Sequence, residues 1–232
     1  MEKFKVIAID GPAGSGKSTT ARLLAEKLHF TYLDTGAMYR CVTLVALDRK
    51  IDLQNVDEVG RLARTLEIDL IPDQELGNKV FANGQEVTTA IRTPLVDANV
   101  SLVSSYKEVR EKMVALQRKF AEKGNVVAEG RDIATVVFPD ADLKIYLIAD
   151  IITRATRRCR QLEEMGLPCT IEEQMASLSS RDLLDSGRAI SPLRKDPEAV
   201  EMDTSGLSIA EQIERVYQLA QKRLMLNNES II

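Results

Sequence analysis

Short apolar runs alternate with amphipathic stretches along most of the chain. Five apolar runs predict β-strands, at residues 5–10, 30–34, 125–129, 143–150 and 199–204. Apolar residues at helical spacing predict helices in the segments around them, most clearly at residues 17–28, 36–48, 94–122 and 208–226. Strands separated by helices form βαβ units. The pattern therefore predicts an α/β fold with a parallel sheet covered by helices on both faces.

Residues 67–89 depart from this alternation. The segment "EIDLIPDQELGNKVFANGQEVTT" contains three short β-like runs and an Asn83-Gly84 pair, which favours a type I′ hairpin turn. Because hairpins join antiparallel strands, the segment predicts a small antiparallel insert in an otherwise parallel protein.

The segment "GPAGSGKS", residues 11–18, fits the pattern G-x-x-x-x-G-K-[ST] between a predicted strand and a predicted helix. Its glycines let the backbone N–H groups point at phosphate oxygens, and the helix N-terminus adds a partial positive charge. Lys17 supplies an ammonium for the terminal phosphates, and the Ser18 hydroxyl can ligate Mg²⁺. We predict a nucleoside triphosphate site rather than a glycine-rich turn that binds nothing. Its residues are Gly11, Pro12, Ala13, Gly14, Ser15, Gly16, Lys17, Ser18 and Thr19.

Composition restricts the classes of protein that remain. Of the 232 residues, 44% are hydrophobic and 28% are charged, as in ordinary globular domains. The net charge of −4 argues against a general nucleic-acid coat, and no apolar run approaches the roughly 20 residues of a membrane span. The first residues, "MEKFKVIAID", lack the apolar core and cleavage site of a signal peptide, so we expect a cytoplasmic protein.

Histidine and cysteine are both scarce. His29 is the only histidine, which argues against a histidine-based triad or metal cage, and we expect it to pack near a helix end. Cys41, Cys159 and Cys169 are odd in number and include no CxxC pair. The sequence therefore suggests neither a disulfide framework nor a zinc site, in keeping with a reducing compartment.

Two arginines follow predicted strands. Arg40 comes after the second strand, and Arg131 comes directly after the third, in "NVVAEGRD". The carboxyl ends of parallel strands are where open α/β sheets bind ligands, and arginine suits a bidentate grip on phosphate. Either arginine alone would be read as a solvated surface residue. Together, beside the triphosphate site, they predict a second anion site.

A third charged group lies in "SSRDLLDSGRAISPL". Arg181, Asp185 and Arg188 share one helical face if a helix continues past Gly187. Taken alone, the group is better explained as surface salt bridges with no function. The residues themselves leave three classes open: a small-molecule kinase, a nucleotide-dependent switch or motor, and a nucleic-acid enzyme.

Five segments together resemble the bacterial cytidylate kinases, in register from about residue 5 to residue 225. They are "IDGPAGSGKST", "LDTGAMYR", "IRTPLVDANVS", "EGRDIATVVFPDADLKIYL" and "RDLLDSGRAISPL". Many families share the first segment, whereas the others are more specific. The resemblance implies ATP-dependent phosphorylation of CMP and dCMP to their diphosphates, in pyrimidine nucleotide metabolism. The alternatives are another small-molecule P-loop kinase, for UMP or another monophosphate, or a nucleotide-dependent switch.

The resemblance also implies an architecture and a set of site residues. A three-layer α/β/α P-loop kinase core with a central five-stranded parallel sheet would span residues 1–65 and 105–232, with a helical lid at about 151–190. A nucleoside-monophosphate-binding insert would span 66–104. Three residues would hold the acceptor's phosphate, three would read the cytosine edge, and three would contact its sugar and phosphate. The residues for the phosphate are Thr35, Arg40 and Arg131, and those for the cytosine edge are Ser101, Arg110 and Asp132. The residues for the sugar and phosphate are Arg181, Asp185 and Arg188.

Two positions differ from the common family pattern. Thr35 stands where relatives often have serine, which keeps the hydroxyl, and Glu129 stands where relatives usually have a shorter acid, which leaves its contact open. Recognition of cytosine by a carboxylate and an arginine fits the base, because N4 donates while N3 and O2 accept. Uracil reverses the pattern at positions 3 and 4 and would leave buried groups unpaired.

The predicted mechanism needs no histidine, because a phosphomonoester with a second pKa near about 6 is already a nucleophilic anion at neutral pH. Catalysis then depends on positioning and on charge neutralisation, by Lys17, Arg131, Arg188 and Mg²⁺. The segment "TRATRRCR", residues 153–160, resembles the lid of these kinases, and Arg157 is the candidate contact to the transferring phosphate. Ser18 and Asp34 are the candidate metal ligands. The expected partners are ATP and CMP or dCMP, without nucleic acid or membrane, and the expected state is a monomer.

Overall fold

The computed structural model describes residues 4–73 and 77–226. Its strands and helices are, in chain order, β1 (Val6–Asp10), α1 (Lys17–Leu28), β2 (Thr31–Asp34), α2 (Thr35–Asp48), α3 (Val56–Thr65), β3 (Ile68–Asp73), β4 (Gly77–Ala82), β5 (Gln85–Glu86), α4 (Pro94–Val103), α5 (Lys107–Ala121), β6 (Val126–Gly130), β7 (Leu143–Ile148), α6 (Ile151–Glu164), α7 (Ile171–Ser186), β8 (Val200–Asp203) and α8 (Ile209–Leu226). A short 3₁₀ turn covers Ala90–Arg92 and a π-helical turn covers Ile133–Val137.

The five predicted strands form one parallel sheet in the order β2-β6-β1-β7-β8. Alternate residues of the strands enter two cores. Ala8 and Ala128 pack with α2, α3 and α5 on one face, whereas Ile7 and Ile145 pack with α1 and α8 on the other. Apolar residues on both sides of each strand are what a parallel sheet covered on both faces requires. The predicted three-layer fold is confirmed.

The strand register brings acidic residues to one edge of the sheet. Asp10 of β1 pairs with Gly130 of β6, and Asp34 of β2 pairs with Glu129 of β6. The loop between β1 and α1 leaves from this same edge. The ends of the three neighbouring strands therefore surround the candidate phosphate loop, as the position of ligand sites in such sheets predicts.

The insert has the predicted antiparallel form. Strands β3, β4 and β5 form a second sheet, and Asn83 and Gly84 both have positive φ, 47° and 80°, as a type I′ turn requires. Part of the predicted β-like segment, residues 74–76, lies outside the described residues.

The structure refines two local expectations and corrects a third. The helical stretch 94–122 is two helices, because the chain turns at residues 104–106 between α4 and α5. Helix α7 ends at Ser186 with Gly187 as its C-cap, so Arg188 lies beyond the helix and not on its face. His29 does lie at a helix end, as the C-cap of α1 with φ 56°, but its side chain is exposed and not packed.

The structure also corrects the expectation about cysteines, because Cys159 and Cys169 form a disulfide with their Cα atoms 5.3 Å apart. Helix α6 ends at Glu164 and the chain reverses at Gly166, with φ 74°, before α7 begins. The reversal returns Cys169 to the face of α6 that carries Cys159. Cysteine spacing in the sequence does not reveal this reversal. Cys41 is a buried free thiol. No helix in the described ranges could cross a membrane.

Candidate active site

The loop between β1 and α1, with the first turn of α1, forms what we call the P-loop pocket, residues 11–19. Gly11, Gly14 and Gly16 all have positive φ, at 148°, 78° and 92°, which explains why glycine occupies these positions. At Gly11 a Cβ would also lie 2.1 Å from the carbonyl oxygen of Leu147. The loop closes directly onto Lys17, the first residue of α1. Its geometry is that of a phosphate-binding backbone at a helix N-terminus.

Lys17 is buried at the base of this pocket. Its Nζ donates to the carbonyl oxygen of Pro12 at 2.6 Å and lies 3.5 Å from Ser15 Oγ. Burial and the nearby Arg131 guanidinium lower the pKa of Lys17 to about 7, and Glu129 opposes this shift. Negative charge beside the buried ammonium would raise this pKa again. A phosphate group in the pocket would supply that charge.

Two carboxylates from neighbouring strands face the P-loop pocket. Glu129 is buried, and its Oε1 accepts a hydrogen bond from the Tyr32 hydroxyl at 3.1 Å. Asp34 caps α2 and forms an ion pair with Arg92 at 3.2 Å. Burial and the charge of Asp34 raise the pKa of Glu129, while Lys17 and a hydrogen bond with Ser18 lower it. The contact of Glu129, which the sequence left open, is therefore with Tyr32 and the base of the P-loop.

A second group, which we call the arginine pocket, comprises Arg40, Arg131, Arg181 and Arg188. Arg131 Nε donates to Asp185 Oδ2 at 2.8 Å, and Arg188 donates to the other oxygen of the same carboxylate. Asp185 is only 1% exposed. Burial raises its pKa, but Arg131 and Arg188 outweigh burial and hold the pKa of Asp185 below its usual value. Arg188 thus reaches Asp185 from beyond the end of α7, and a buried carboxylate fixes two of the four arginines.

The predicted base-reading residues lie beside the arginine pocket. Arg110 and Asp132 form a buried ion pair, and Arg110 Nη1 also donates to the Ser104 carbonyl oxygen at 3.1 Å. Ser101 Oγ donates to Asp185 at 3.1 Å and lines the same cavity as the Arg110–Asp132 pair. The Nε groups of Arg110, Arg181 and Arg188 are buried without a hydrogen-bond partner in the part of the chain that the structure describes. Buried donors of this kind are normally satisfied.

Two contacts join the end of β6 to the start of α2. A Cβ on Gly130 would lie 2.7 Å from Thr35 Oγ1, so glycine lets the end of β6 pack against the start of α2. Thr35 Oγ1 donates to the Glu129 carbonyl oxygen at 2.7 Å. The hydroxyl proton of Thr35 therefore points at the backbone in this state and not into the cavity. Its predicted role toward phosphate stays a prediction.

Asp10 was not predicted as a site residue. Its carboxylate accepts the backbone N–H groups of Ile133 and Ala134 at 2.9 and 2.8 Å, and this contact holds the turn that follows Arg131 and Asp132. Burial raises the pKa of Asp10 to about 7, although the two hydrogen bonds oppose the shift. The rule about strand ends that selected Arg40 and Arg131 applies equally to Asp10, which ends β1.

The arginines at 154–160 connect α6 to both pockets. Arg154 donates to Asp182 at 2.6 Å and to the carbonyl oxygen of Ala13 in the P-loop at 3.2 Å. Arg157 donates to the carbonyl oxygen and hydroxyl of Thr204, at 2.7 and 3.0 Å. Arg158, which the sequence analysis did not select, forms an ion pair with Asp97 of α4. Arg157 therefore contacts protein groups beside the P-loop, and its role toward the transferring phosphate remains a prediction.

Both pockets open into one cavity of about 830 Å³. Lys17 and Ser18 line one end of it, and Arg40, Arg131 and Asp132 line the other. A volume of this size lies within the range of pockets that hold small molecules. The structure thus brings the predicted triphosphate site and the predicted second anion site together.

Comparisons with known proteins agree on one family. The sequence model of the family described as cytidylate kinase matches residues 7–222. A cytidylate kinase of Carboxydothermus hydrogenoformans is 49% identical over 92% of this chain and 96% of its own length. That of Bacillus subtilis strain 168 is 44% identical over 96% of this chain and 99% of its own length.

Solved structures support the fold alone. The structure of TT1252 from Thermus thermophilus superimposes with a TM-score of 0.50 at 16% identity, covering 96% of this chain and 99% of that one. An uncharacterized protein from Eubacterium ventriosum also gives a TM-score of 0.50, at 13% identity, covering 93% of this chain and 97% of that one. Together with the P-loop and arginine pockets, the family match over most of the sequence shows that this chain belongs to the cytidylate kinase family.

Proposed function

We propose that this chain transfers the γ-phosphoryl group of ATP to the phosphate of CMP or dCMP, giving CDP or dCDP and ADP. The observation that supports this most directly is the single cavity that joins the P-loop pocket to the arginine pocket. A phosphoryl transfer between two anionic substrates needs two neighbouring anion sites without water between donor and acceptor.

The P-loop pocket is proposed to hold the triphosphate. Backbone N–H groups of residues 11–19 would cradle its phosphates, and Lys17 would neutralise the charge that passes to the leaving group. Because burial and Arg131 already lower the pKa of Lys17 to about 7, a bound polyphosphate would stabilise the charged ammonium.

The residues around Ser18 fit Mg²⁺, which takes oxygen ligands and keeps several of its waters. The Ser18 hydroxyl and the carboxylates of Asp34 and Glu129 supply such oxygens. Burial, followed by the charge of Asp34, raises the pKa of Glu129, and a bound cation would oppose that shift. We therefore add Glu129 to Ser18 and Asp34 as residues that would hold the ion, directly or through water. When bound, Mg²⁺ would neutralise charge on the phosphate oxygens.

The arginine pocket is proposed to hold the acceptor's phosphate. Arg40, Arg131, Arg181 and Arg188 would donate to its oxygens, with the backbone or hydroxyl of Thr35 beside them. Asp185 already accepts from Ser101, Arg131 and Arg188. A carboxylate offers about four lone-pair positions, so one position remains for a ribose hydroxyl.

The buried Arg110–Asp132 pair, with Ser101, is proposed to read the cytosine edge. Asp132 would accept from the N4 amino group while Arg110 donates toward N3 and O2. The pair is held in place by its own ion pair and by the Ser104 carbonyl oxygen before any base arrives. Uracil would present an acceptor to Asp132 and a donor to Arg110, and both contacts would then be unfavourable.

The acceptor needs no protein base, because its phosphate is already anionic at neutral pH. The chain's contribution is to hold the two phosphates in line and to reduce their repulsion.

We assign the core to residues 1–65 and 105–232, the acceptor-binding insert to 66–104 and the lid to about 151–190. Closure of the lid over ATP, with Arg157 moving toward the transferring phosphate, would exclude water. We further propose a cytoplasmic monomer whose partners are these small molecules, and neither nucleic acid nor membrane.

The test is ADP formation from ATP with CMP, dCMP, UMP, AMP or no acceptor. CMP and dCMP should each stimulate ADP formation strongly, and UMP should do so weakly. Hydrolysis of ATP at the same rate without acceptor would support a nucleotide-dependent switch instead. Strong stimulation by UMP or AMP alone would show a kinase for another monophosphate.

A further inference from the structure

Asp97, in the first turn of α4, is the meeting point of three arginines from three other elements. Arg40 of α2 and Arg158 of α6 form ion pairs with its carboxylate, and Arg181 Nη1 of α7 lies 3.8 Å from Oδ1. The Asp97 side chain is 16% exposed and lines the same cavity as the arginines. Two of its partners, Arg40 and Arg181, belong to the arginine pocket, and the third belongs to the proposed lid.

The charges in the pocket explain why a carboxylate is needed there. Asp185 forms its ion pairs with Arg131 and Arg188, and its charge opposes only part of the repulsion at Arg181. Burial, followed by repulsion from Arg131 and Arg40, lowers the pKa of Arg181 to about 10. Asp97 is the carboxylate that pairs with Arg40 and Arg158, and it adds to Asp185 in offsetting the positive charge at Arg181.

A phosphate group in the pocket would compete for the same donors. A phosphomonoester carries about two negative charges and three acceptor oxygens, whereas a carboxylate carries one charge and two oxygens. An N–H group of Arg40 or Arg181 that donates to the phosphate is no longer available to the Asp97 carboxylate. The carboxylate and the phosphate would also repel each other at short range.

We propose that Asp97 is an internal counter-ion that occupies the arginine pocket while it is empty and gives up Arg40 and Arg181 when the acceptor's phosphate enters. The phosphate also repels the carboxylate from its position beside Arg158, so arrival of the acceptor frees α6 from α4. Asp97 is a positioning residue, since it acts through arginines and does not touch the reacting atoms. The inference rests on the proposed function for the identity of the acceptor.

The experiment measures binding of CMP, cytidine and inorganic phosphate by calorimetry to the full chain and to Asp97→Asn and Asp97→Glu. Asp97→Asn should bind CMP more tightly, on the order of tenfold, because the phosphate no longer displaces a like-charged group. Inorganic phosphate should gain in the same direction. Cytidine has no phosphate, so its affinity should not change. Asp97→Glu keeps the charge and should give a CMP-to-cytidine affinity ratio close to that of the unmodified chain.

Several outcomes would overturn the proposal. Weaker or unchanged CMP binding by Asp97→Asn would show that the carboxylate does not compete with phosphate. Equal shifts for CMP and cytidine would show a general structural effect. Asp97→Ser is a second neutral variant, and melting temperatures verify that the variants are folded. Failure of both neutral variants to fold would make Asp97 a folding residue and would also refute its role as a displaceable counter-ion.

Hydrogen exchange tests the connection to α6. Without nucleotide, amides of α6 should exchange faster in Asp97→Asn than in the unmodified chain or Asp97→Glu, because Arg158 has lost its ion-pair partner. Unchanged exchange would refute release of α6. The proposed function is tested separately, since the unmodified chain must bind and phosphorylate CMP whatever Asp97 does.

Discussion

The P-loop pocket is made from one continuous segment of backbone, whereas the arginine pocket and its neighbours are made from side chains of α2, α4, α5, α7 and the turn after β6. The two also differ in charge. Lys17 makes hydrogen bonds to neutral groups of its own loop, while Arg131 and Arg188 share the buried carboxylate of Asp185. The lysine of the first pocket has no close ion-pair partner among the described residues, whereas a buried carboxylate holds arginines of the second before a ligand arrives.

This difference predicts which substitutions lower activity alone and which lower both activity and stability. A buried charge that lacks an ion-pair partner can be removed without leaving another charge exposed to a low dielectric. Removing one member of a buried ion pair leaves the other uncompensated, which is strongly destabilising. Variants in the P-loop pocket should therefore lose activity while remaining folded, and variants in the arginine pocket should lose both.

The largest effect is expected for Lys17→Ala. Turnover should fall by about 10³-fold or more, because the ammonium that stabilises the transferring charge is gone. The free energy of unfolding in urea should change little, since Lys17 is buried with its pKa lowered to about 7 and has no close ion pair among the described residues. Lys27→Ala, on the last turn of the same helix and paired with Glu214 at the surface, is the control and should keep its activity. Full activity of Lys17→Ala would refute the donor assignment.

Asp185→Asn should affect both properties. The free energy of unfolding should fall by about 3–5 kcal/mol, because Arg131 and Arg188 lose their shared counter-charge, and the KM for CMP should rise. Glu172→Gln, exposed in the first turn of the same helix, should cost less than about 1 kcal/mol. Equal stability of Asp185→Asn and Glu172→Gln would contradict the contrast between the two pockets.

The pH dependence of stability gives an independent test of the same residue. The pKa of Asp185 is held below that of an ordinary carboxyl, so its ionised form stabilises the folded state above the unfolded pKa, near about 3.9. That contribution is lost as the pH falls through the folded pKa. As the pH is lowered from neutral to acid, the free energy of unfolding in urea should fall less for Asp185→Asn than for the unmodified chain. The variant already lacks the stabilisation that the ionised carboxylate provides.

The two pockets also differ in how much of them the sequence could predict. Positions 11–19 could be read directly, because the backbone conformation that binds phosphate is specified by local glycines and by the strand and helix on either side. The five strands and the antiparallel insert could be read from periodicity and from Asn83-Gly84 for the same reason. Family resemblance supplied Arg110 and Asp132, to which no periodicity pointed, and it supplied the role of Asp185, which helical spacing had grouped with Arg181 and Arg188.

What the sequence could not supply depends on reversals of the chain. The pairing of Arg188 with Asp185 follows from the end of α7 at Ser186, and the pairing of Cys159 with Cys169 follows from the turn at Gly166. Asp97 belongs to the segment "IRTPLVDANVS" that carries the family resemblance, but its three arginine partners are distant along the chain, the farthest being Arg181. Contacts between distant side chains are set by packing and not by spacing along the chain.

Helix α6 contacts both pockets, so a less stable lid should weaken the binding of both substrates. Cys169→Ser, or reduction of the disulfide, removes a cross-link over a loop of about ten residues, worth about 2–3 kcal/mol on a loop-entropy basis. Arg154 and Arg157 contact groups beside the P-loop, and Arg158 contacts Asp97. The KM values for ATP and CMP should therefore rise together, as initial rates would show. Reductant should have no further effect on Cys169→Ser, and a rise in only one KM would show that the lid serves one pocket.

The smallest effect concerns discrimination between bases and lies wholly within the acceptor side. Asp132→Asn keeps an acceptor oxygen but removes its charge and adds an N–H donor, so the contact with cytosine N4 weakens while uracil O4 gains a partner. The ratio of kcat/KM for CMP to kcat/KM for UMP should fall on the order of tenfold. The KM for ATP should not change, because Asp132 lies on the acceptor side. Asp140→Asn, an exposed acid beyond the π-helical turn, is the matched control. An unchanged CMP-to-UMP ratio in Asp132→Asn would show that the buried Arg110–Asp132 pair supports the arginine pocket without reading the base.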